Sequence, residues 1–251
     1  MDPDDFSNMA NQLPEPFRLL IKDEVASTND EARLLGESGA ADGLVVVARK
    51  QTAGRGRRGA AWFAPPGKSL AFSVLVRPQE PPSLWPRLAL AAGLAVAEAV
   101  ETQLPLAGIK WPNDVWVGRK KIAGILVEAG RGFAIVGIGL NVNTLTFPEA
   151  VADTATSLAL ETGATLPLPE VLGAILHPLA HRVRQIGADF ESILRGVRQR
   201  CVLTGHEVSL LTPNGPLDGS VEGIAPGGEL MLRNESGLHR LLQADEVRIR
   251  A

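Results

Sequence analysis

The chain has no tyrosine, a single cysteine and no apolar run long enough to cross a bilayer. Each shortage removes a class of explanation. The lone thiol, Cys201, excludes an internal disulfide framework and fits a reducing compartment. No nucleophile motif surrounds it, so it reads as a small core residue. The most apolar stretch, Leu88 to Val100, is too short for a membrane span and carries Glu98. The opening Met1-Asp2-Pro3-Asp4-Asp5 is acidic with no apolar segment behind it, unlike a secretory signal. The expectation is a soluble cytoplasmic protein. His177 and His181 are four apart on a helical pattern, but no third ligand accompanies them, and no metal site is read from any direct motif. No Ser–His or Cys–His arrangement offers a catalytic nucleophile. What is left is ordinary globular composition over 251 residues, 45% hydrophobic and 21% charged. That length accommodates one large core, or one core plus a small satellite domain.

The most informative stretch is Gln51-Thr52-Ala53-Gly54-Arg55-Gly56-Arg57-Arg58-Gly59, with Trp62 close behind. Glycine lets a ligand approach main-chain N–H groups, and arginine supplies a rigid fork of donors suited to carboxylate and phosphate. Together they describe a mobile loop that folds over an anionic small molecule. The spacing Gly54-x-Gly56-x-x-Gly59 also fits the dinucleotide fingerprint, and it follows the strand-like Leu44-Val45-Val46-Val47. That fingerprint must open a helix, and Pro65 and Pro66 forbid one here. Two other readings stay open on these residues alone: a solvated basic loop, and phosphate contact with nucleic acid. The second is weakened by the net charge of −3 and the missing tyrosine.

Along the chain, residues 1–18 read as an extended, proline-punctuated lead-in. Ser27-Thr28-Asn29 stands at a strand-to-helix turn. Thr28 and Glu31 have capping-box spacing, and these short hydrogen-bonders either start a helix or recognise a polar ligand head. Strands are expected at Leu44–Lys50 and Leu70–Val76, followed by a long helix, Leu84–Val100, packed on a sheet. In Lys110-Trp111-Pro112-Asn113-Asp114, Pro112 and Asn113 predict a turn that brings Lys110 near Asp114, as a plain ion pair or as part of a site. The basic turn Gly118-Arg119-Lys120-Lys121 leads into the strand Ile122–Glu128, where Gly124 implies close approach of a ligand or another backbone. The next strand ends in Gly137-Ile138-Gly139-Leu140-Asn141, which is either a ligand wall or a bulged hairpin.

Residues 167–203 are helical by period, with Pro169 at a helix start and a second helix over about 188–200. From Thr204 short alternating segments near 206–211, 217–224, 229–233, 238–242 and 246–250 are divided by Pro213-Asn214-Gly215, Pro226-Gly227-Gly228 and Asn234-Glu235-Ser236-Gly237. Five strands at this spacing predict a small SH3-like β-barrel, with the domain boundary near residue 203.

Taken in order, Ser27-Thr28-Asn29, the arginine–glycine loop, Lys110–Asp114, Arg119–Glu128 and Gly137–Asn141 resemble the motifs of biotin–protein ligases. The resemblance runs from about residue 20 to the end. It implies an α+β catalytic domain over 1–203, with a mixed sheet backed by helices in the manner of class II synthetases, and an SH3-like domain over 204–251. It implies biotin and Mg-ATP as substrates, biotinyl-5′-adenylate as intermediate, and a lysine of a biotin carboxyl carrier domain as acceptor. No protein nucleophile is then required. Fewer than thirty residues precede Ser27, too few for the winged-helix domain of bifunctional members, so no DNA binding is expected. The resemblance does not decide between monomer and homodimer.

Carried over by motif, Ser27, Thr28 and Asn29 would bond the ureido ring with Gln51 beside it. Gly54, Arg55, Gly56 and Arg57 would lie on the loop over biotin and adenylate, with Arg57 and Arg58 toward phosphate. Lys121 would hold the biotin carboxyl oxygen and the α-phosphate. Lys110 would assist with ATP phosphates, and Asp114 would orient or activate the incoming lysine. Gly124, Gly137 and Gly139 would form pocket walls. Trp62, Asn113 and Asn141 would lie on the nucleotide side. Gly223–Gly228 replaces the acidic turn expected of the family, which weakens the second domain's claim to a part in closing the site. A lipoate–protein ligase and a non-catalytic nucleic-acid-binding module are the alternatives.

Overall fold

The computed structural model describes Phe6, residues 8–9, 12–213 and 215–250. The acidic opening and Asn214 of the Pro213–Gly215 turn lie outside the described residues. Strand β1 (Arg18–Val25) leads through helix α1 (Thr28–Glu37) into β2 (Leu44–Gln51), and β1 and β2 pair in parallel. Then follow β3 (Ser69–Val76), α2 (Arg87–Glu101), β4 (Gly108–Lys110), β5 (Asp114–Val117), β6 (Lys120–Gly130) and β7 (Phe133–Asn141). They complete a seven-stranded mixed sheet in the order β1-β2-β3-β7-β6-β5-β4. Every pairing after the first is antiparallel.

The helices divide between the two faces. The small helix α1 lies over β2, β3 and β7 and closes a second, smaller apolar cluster with Ala32, Val46, Leu75, Phe133 and Ile135. The opposite face carries α2, which is buried almost all round, between the sheet and α5 (Leu168–Ala188) and α6 (Phe190–Arg200). Two short helices, α3 (Glu149–Ala152) and α4 (Leu158–Thr162), link β7 to α5. Helix α2 begins at Arg87 rather than Leu84, after a single 3-10 turn at Pro82–Leu84. Pro86 is the N-cap of the helix, where its missing N–H breaks no intrahelical bond.

The remaining strands, β8 (Glu207–Thr212), β9 (Gly215–Ile224), β10 (Leu230–Asn234), β11 (Gly237–Leu241) and β12 (Glu246–Ile249), form a five-stranded antiparallel sheet ordered β11-β10-β9-β8-β12. The five expected segments and the five strands coincide within a few residues. Val208, Leu210, Ile224 and Leu230 of this sheet belong to the same apolar cluster as Leu88 and Leu94 of α2. The second sheet is therefore packed on the first layer through shared core. Trp111 adds a polar tie, donating from Nε1 to the Gly228 carbonyl at 3.0 Å. Among the described residues no helix is long and apolar enough to cross a membrane.

Candidate active site

A cavity of about 210 Å³ opens on the α1 face of the large sheet, under the arginine–glycine loop. Its far end is neutral and polar. Ser27, Thr28 and Asn29, at the β1–α1 turn, are each only 4% exposed. The expected Thr28–Glu31 capping box is not formed. Ser27 occupies the cap position without a side-chain cap bond, and Glu31 pairs with Lys22 instead. The reason lies in the neighbouring strands. Gln51, at the end of β2, accepts from the Thr28 N–H at 2.8 Å and from Thr28 Oγ1 at 3.2 Å. Ser73, in the middle of β3, lies 2.7 Å from Thr28 Oγ1 and 2.6 Å from Asn29 Oδ1. One serine proton faces two acceptors, so this cluster has acceptor capacity to spare. Asn29 Nδ2 donates to Glu128 Oε2 at 2.6 Å.

The floor is glycine. Gly124 of β6 is paired with Gly139 of β7, and Gly137 with Ser73 of β3. A Cβ at Gly137 would stand 2.2 Å from Asn29 Oδ1, and one at Gly139 would stand 2.3 Å from the Trp62 ring. These two positions are glycine because side chains from the other layer rest directly on the strand. Trp62 thus lies on the floor, and its Nε1 is buried without a hydrogen-bond partner.

The near end is cationic. In the β5–β6 hairpin, Trp116 faces Lys121 and Val115 faces Ala123, leaving Ile122 as an extra residue. Such a bulge re-aims a side chain. Lys121 Nζ is brought 5.5 Å from the Trp62 ring centre and 2.7 Å from Asp114 Oδ1. Lys110 and Asp114 are cross-strand neighbours in the β4–β5 hairpin, as expected, but they do not form the ion pair. Asp114 takes Lys121, and the Lys110 ammonium stands 4.4 Å over the Trp116 ring. Burial pulls Lys110 below the ordinary lysine range.

The arginine loop is pinned on two sides. It folds on itself through Gly56 N–H to the Ala60 carbonyl at 2.7 Å and Trp62 N–H to the Gly54 carbonyl at 2.9 Å. Arg55 grips Asp30 of α1 with both guanidinium arms at 2.5 Å and reaches Glu128 at 3.4 Å. Those bonds raise the Arg55 pKa and lower that of Asp30. Arg57 donates to Asn113 Oδ1 at 3.1 Å and to the Ala244 carbonyl at 2.9 Å. Burial lowers the Arg57 pKa, while Asp114 and Asp245 oppose that shift. Arg58 pairs with Asp245 at 2.5 Å.

Most residues singled out from the sequence meet here: Ser27, Thr28, Asn29, Gln51, Arg55, Gly56, Arg57, Trp62, Asn113, Asp114, Lys121, Gly124, Gly137 and Gly139 all line the cavity. Gly54, Arg58, Lys110 and Asn141 do not. Gly54 lies behind Gln51, where a Cβ would stand 2.8 Å from Gln51 Nε2. Asn141 is buried, donating to the Thr156 carbonyl at 3.0 Å, and its Oδ1 has no hydrogen-bond partner. Sequence reasoning missed Ser73, the carboxylates Asp30 and Glu128 that hold Arg55, and Ala244 and Asp245 from the second sheet. Alternation along β3 would have marked Ser73 as an inward hydroxyl. Nothing local marks the others. A second cavity of about 770 Å³ lies between the start of α2 and the second sheet, and Arg57 and Asn113 border both.

Comparison with known proteins comes to the same place. Residues 23–143 match the family model described as the biotin/lipoate A/B protein ligase family. The biotin–[acetyl-CoA-carboxylase] ligase of Mycobacterium tuberculosis is 37% identical over 209 residues, covering 80% of this chain and 76% of the relative. The ligase of the same name from Paracoccus denitrificans is 35% identical over 235 residues, covering 88% and 96%. The fold superimposes on a biotin protein ligase from Aquifex aeolicus, solved in complex with biotin and ATP, with a TM-score of 0.84 and 33% identity over 92% of this chain and 99% of that one.

Proposed function

The chain belongs to the biotin/lipoate A/B protein ligase family, and on that footing we infer that it activates biotin with ATP and transfers it to a lysine of a biotin carboxyl carrier domain. What carries this reading is the order of chemistry along one cavity. A neutral cluster with spare acceptors is at one end, a glycine floor under Trp62 is in the middle, and Lys121 and Arg57 are at the other end. Biotin has the same order: a ureido ring with N–H donors, an apolar body and a carboxylate.

In the first half-reaction a carboxylate oxygen attacks the α-phosphorus of ATP and pyrophosphate leaves. Two anions must be brought together, so fixed cations lower the barrier. We assign Lys121 to the carboxylate and α-phosphate, and Arg57 to the phosphate as the loop closes. Ser27, Thr28, Asn29 and Gln51 would hold the ureido ring, with Ser73 orienting them. The unpartnered Oδ1 of Asn141 supports its assignment to an adenine amino group. Lys110 and Asn113 would serve the phosphates, with Lys110 turning off Trp116 to do so, whereas Arg58, expected there from the motif, is turned out to Asp245. In the second half-reaction the carrier's lysine amine attacks the mixed anhydride and AMP leaves, with Asp114 placed to take its proton.

Among the described residues no cluster of three metal-ligating side chains exists. Magnesium that travels with a triphosphate needs only one or two carboxylates. Asp114 lines the cavity and could supply one. We divide the chain at residue 203 and read its terminal five-stranded sheet as SH3-like.

Pyrophosphate release from Mg-ATP, with biotin, lipoate or neither, tests the reading. Release that requires biotin is expected. Release with lipoate alone would change the substrate. No release with either acid from folded protein would end the enzyme reading.

A further inference from the structure

One acidic residue in the cavity wall has a relation to the arginine loop that the family motifs do not contain. Asp245 stands between β11 and β12, with its side chain only 13% exposed and its carboxylate 2.5 Å from Arg58 Nη2. Its backbone N–H is tied to the Leu211 carbonyl at 2.6 Å, so β8 of the second sheet carries it. The preceding residue, Ala244, accepts from Arg57 at 2.9 Å. Two consecutive residues of the β11–β12 connection therefore hold two consecutive arginines of the loop. Between those arginines the chain makes an uncommon turn. Arg58 has φ of 57°, in the left-handed region that non-glycine residues rarely occupy. The turn leaves Arg57 at the cavity wall against Asn113, while Arg58 reaches Asp245 and is 58% exposed. A carboxylate in the wall of a cavity that takes anions would repel them on its own. Its position makes sense if its task is to hold a guanidinium.

We propose that Asp245 is a positioning residue: its ion pair with Arg58 latches the arginine loop to the second sheet and keeps Arg57 turned toward the bound acyl-adenylate. The inference rests on the biotin-activating reading above. Asp245 acts through Arg58 and touches no reacting atom.

The test is a double-mutant cycle on the full chain with Asp245→Asn, Arg58→Gln and the pair. Two quantities are read, together with thermal unfolding. One is the rate at which labelled biotinyl-adenylate leaves the protein. The other is the rate at which trypsin cuts after Arg57 without ligand. Each single variant is expected to raise both rates about fivefold, the range of a half-buried coupled pair, and the double variant to be no worse than either single. KM for biotin should rise by more than kcat falls. Additive effects would show that the two residues act separately and would overturn the latch. So would a lower Tm with unchanged cleavage, which would make Asp245 a residue of the sheet alone. If the wild type forms no adenylate, the biotin reading fails, while the cleavage arm still decides whether the latch exists.

Discussion

Lys121 Nζ lies 2.7 Å from Asp114 Oδ1, and the bulge at Ile122 is what lets them meet. One residue is assigned to the first half-reaction and the other to the second, so the pair couples the two steps in space. Replacing Lys121 with alanine should lower pyrophosphate release by about 10²–10³, the usual loss of one preorganised electrostatic partner. Asp114→Asn should leave Lys121 available to the substrate. Transfer to carrier would then fall about 10²-fold or more, as for a lost general base, with a smaller loss in adenylation. Single-turnover assays of each half-reaction separate the two. Full pyrophosphate release by Lys121→Ala would remove that lysine from its role.

The glycine floor makes a prediction about volume. A methyl group at Gly139 would meet the Trp62 ring at 2.3 Å. Overpacking of this kind costs about 1–3 kcal/mol when the neighbour cannot move. Trp62 follows the arginine loop and has an unpartnered Nε1, so Gly139→Ala should displace the ring rather than unfold the sheet. The expected result is a Tm within a few degrees of wild type, with a tryptophan fluorescence shift and weaker biotin binding measured by calorimetry. Unaltered biotin affinity would mean that Trp62 is no part of the binding surface.

Much of this site was legible because its chemistry is local in sequence. Strand alternation and glycine spacing located β6 and β7, and turn residues located all five strands of the second sheet. The failures share a cause. The capping box was misread because Gln51 and Ser73, 23 and 45 residues from Thr28, are its better partners. The Lys110–Asp114 pairing was a sound inference from a short turn, but a bulge in the next hairpin supplied a closer cation. Arg57 and Ala244 are separated by 187 residues. Such contacts are set by how two sheets dock on a shared core, and that information is spread over the whole apolar pattern.

Arg57 joins Asn113, in the β4–β5 turn, to Ala244, in the β11–β12 connection. Removing its side chain should open the wall between the two cavities that it borders. Arg57→Gly should still form biotinyl-adenylate but release it, so bystander proteins become biotinylated on surface lysines without a carrier domain. Blotting with labelled streptavidin after incubation with albumin reads this directly. A variant that still labels only carrier would show that retention resides elsewhere in the loop.

Acid should unfasten the other side of the loop. Asp30 is held below its ordinary pKa of 3.8, chiefly by the hydrogen bonds from Arg55. A carboxyl group with a lowered folded-state pKa contributes stability that is present above its unfolded value and lost as pH falls through the folded one. The contribution of Asp30 should therefore be complete at pH 7, begin to fall below about pH 4, and vanish at lower pH. The pair is partly exposed, so it is worth at most about 1 kcal/mol, or a few degrees in Tm for a chain of this size. Asp30→Asn should unfold about 1–3 °C below wild type at pH 7, with the gap narrowing as pH falls below about 4. A gap of constant size across that range would show that the amide costs packing at the α1 terminus, and that the Arg55–Asp30 charge pair adds nothing to stability.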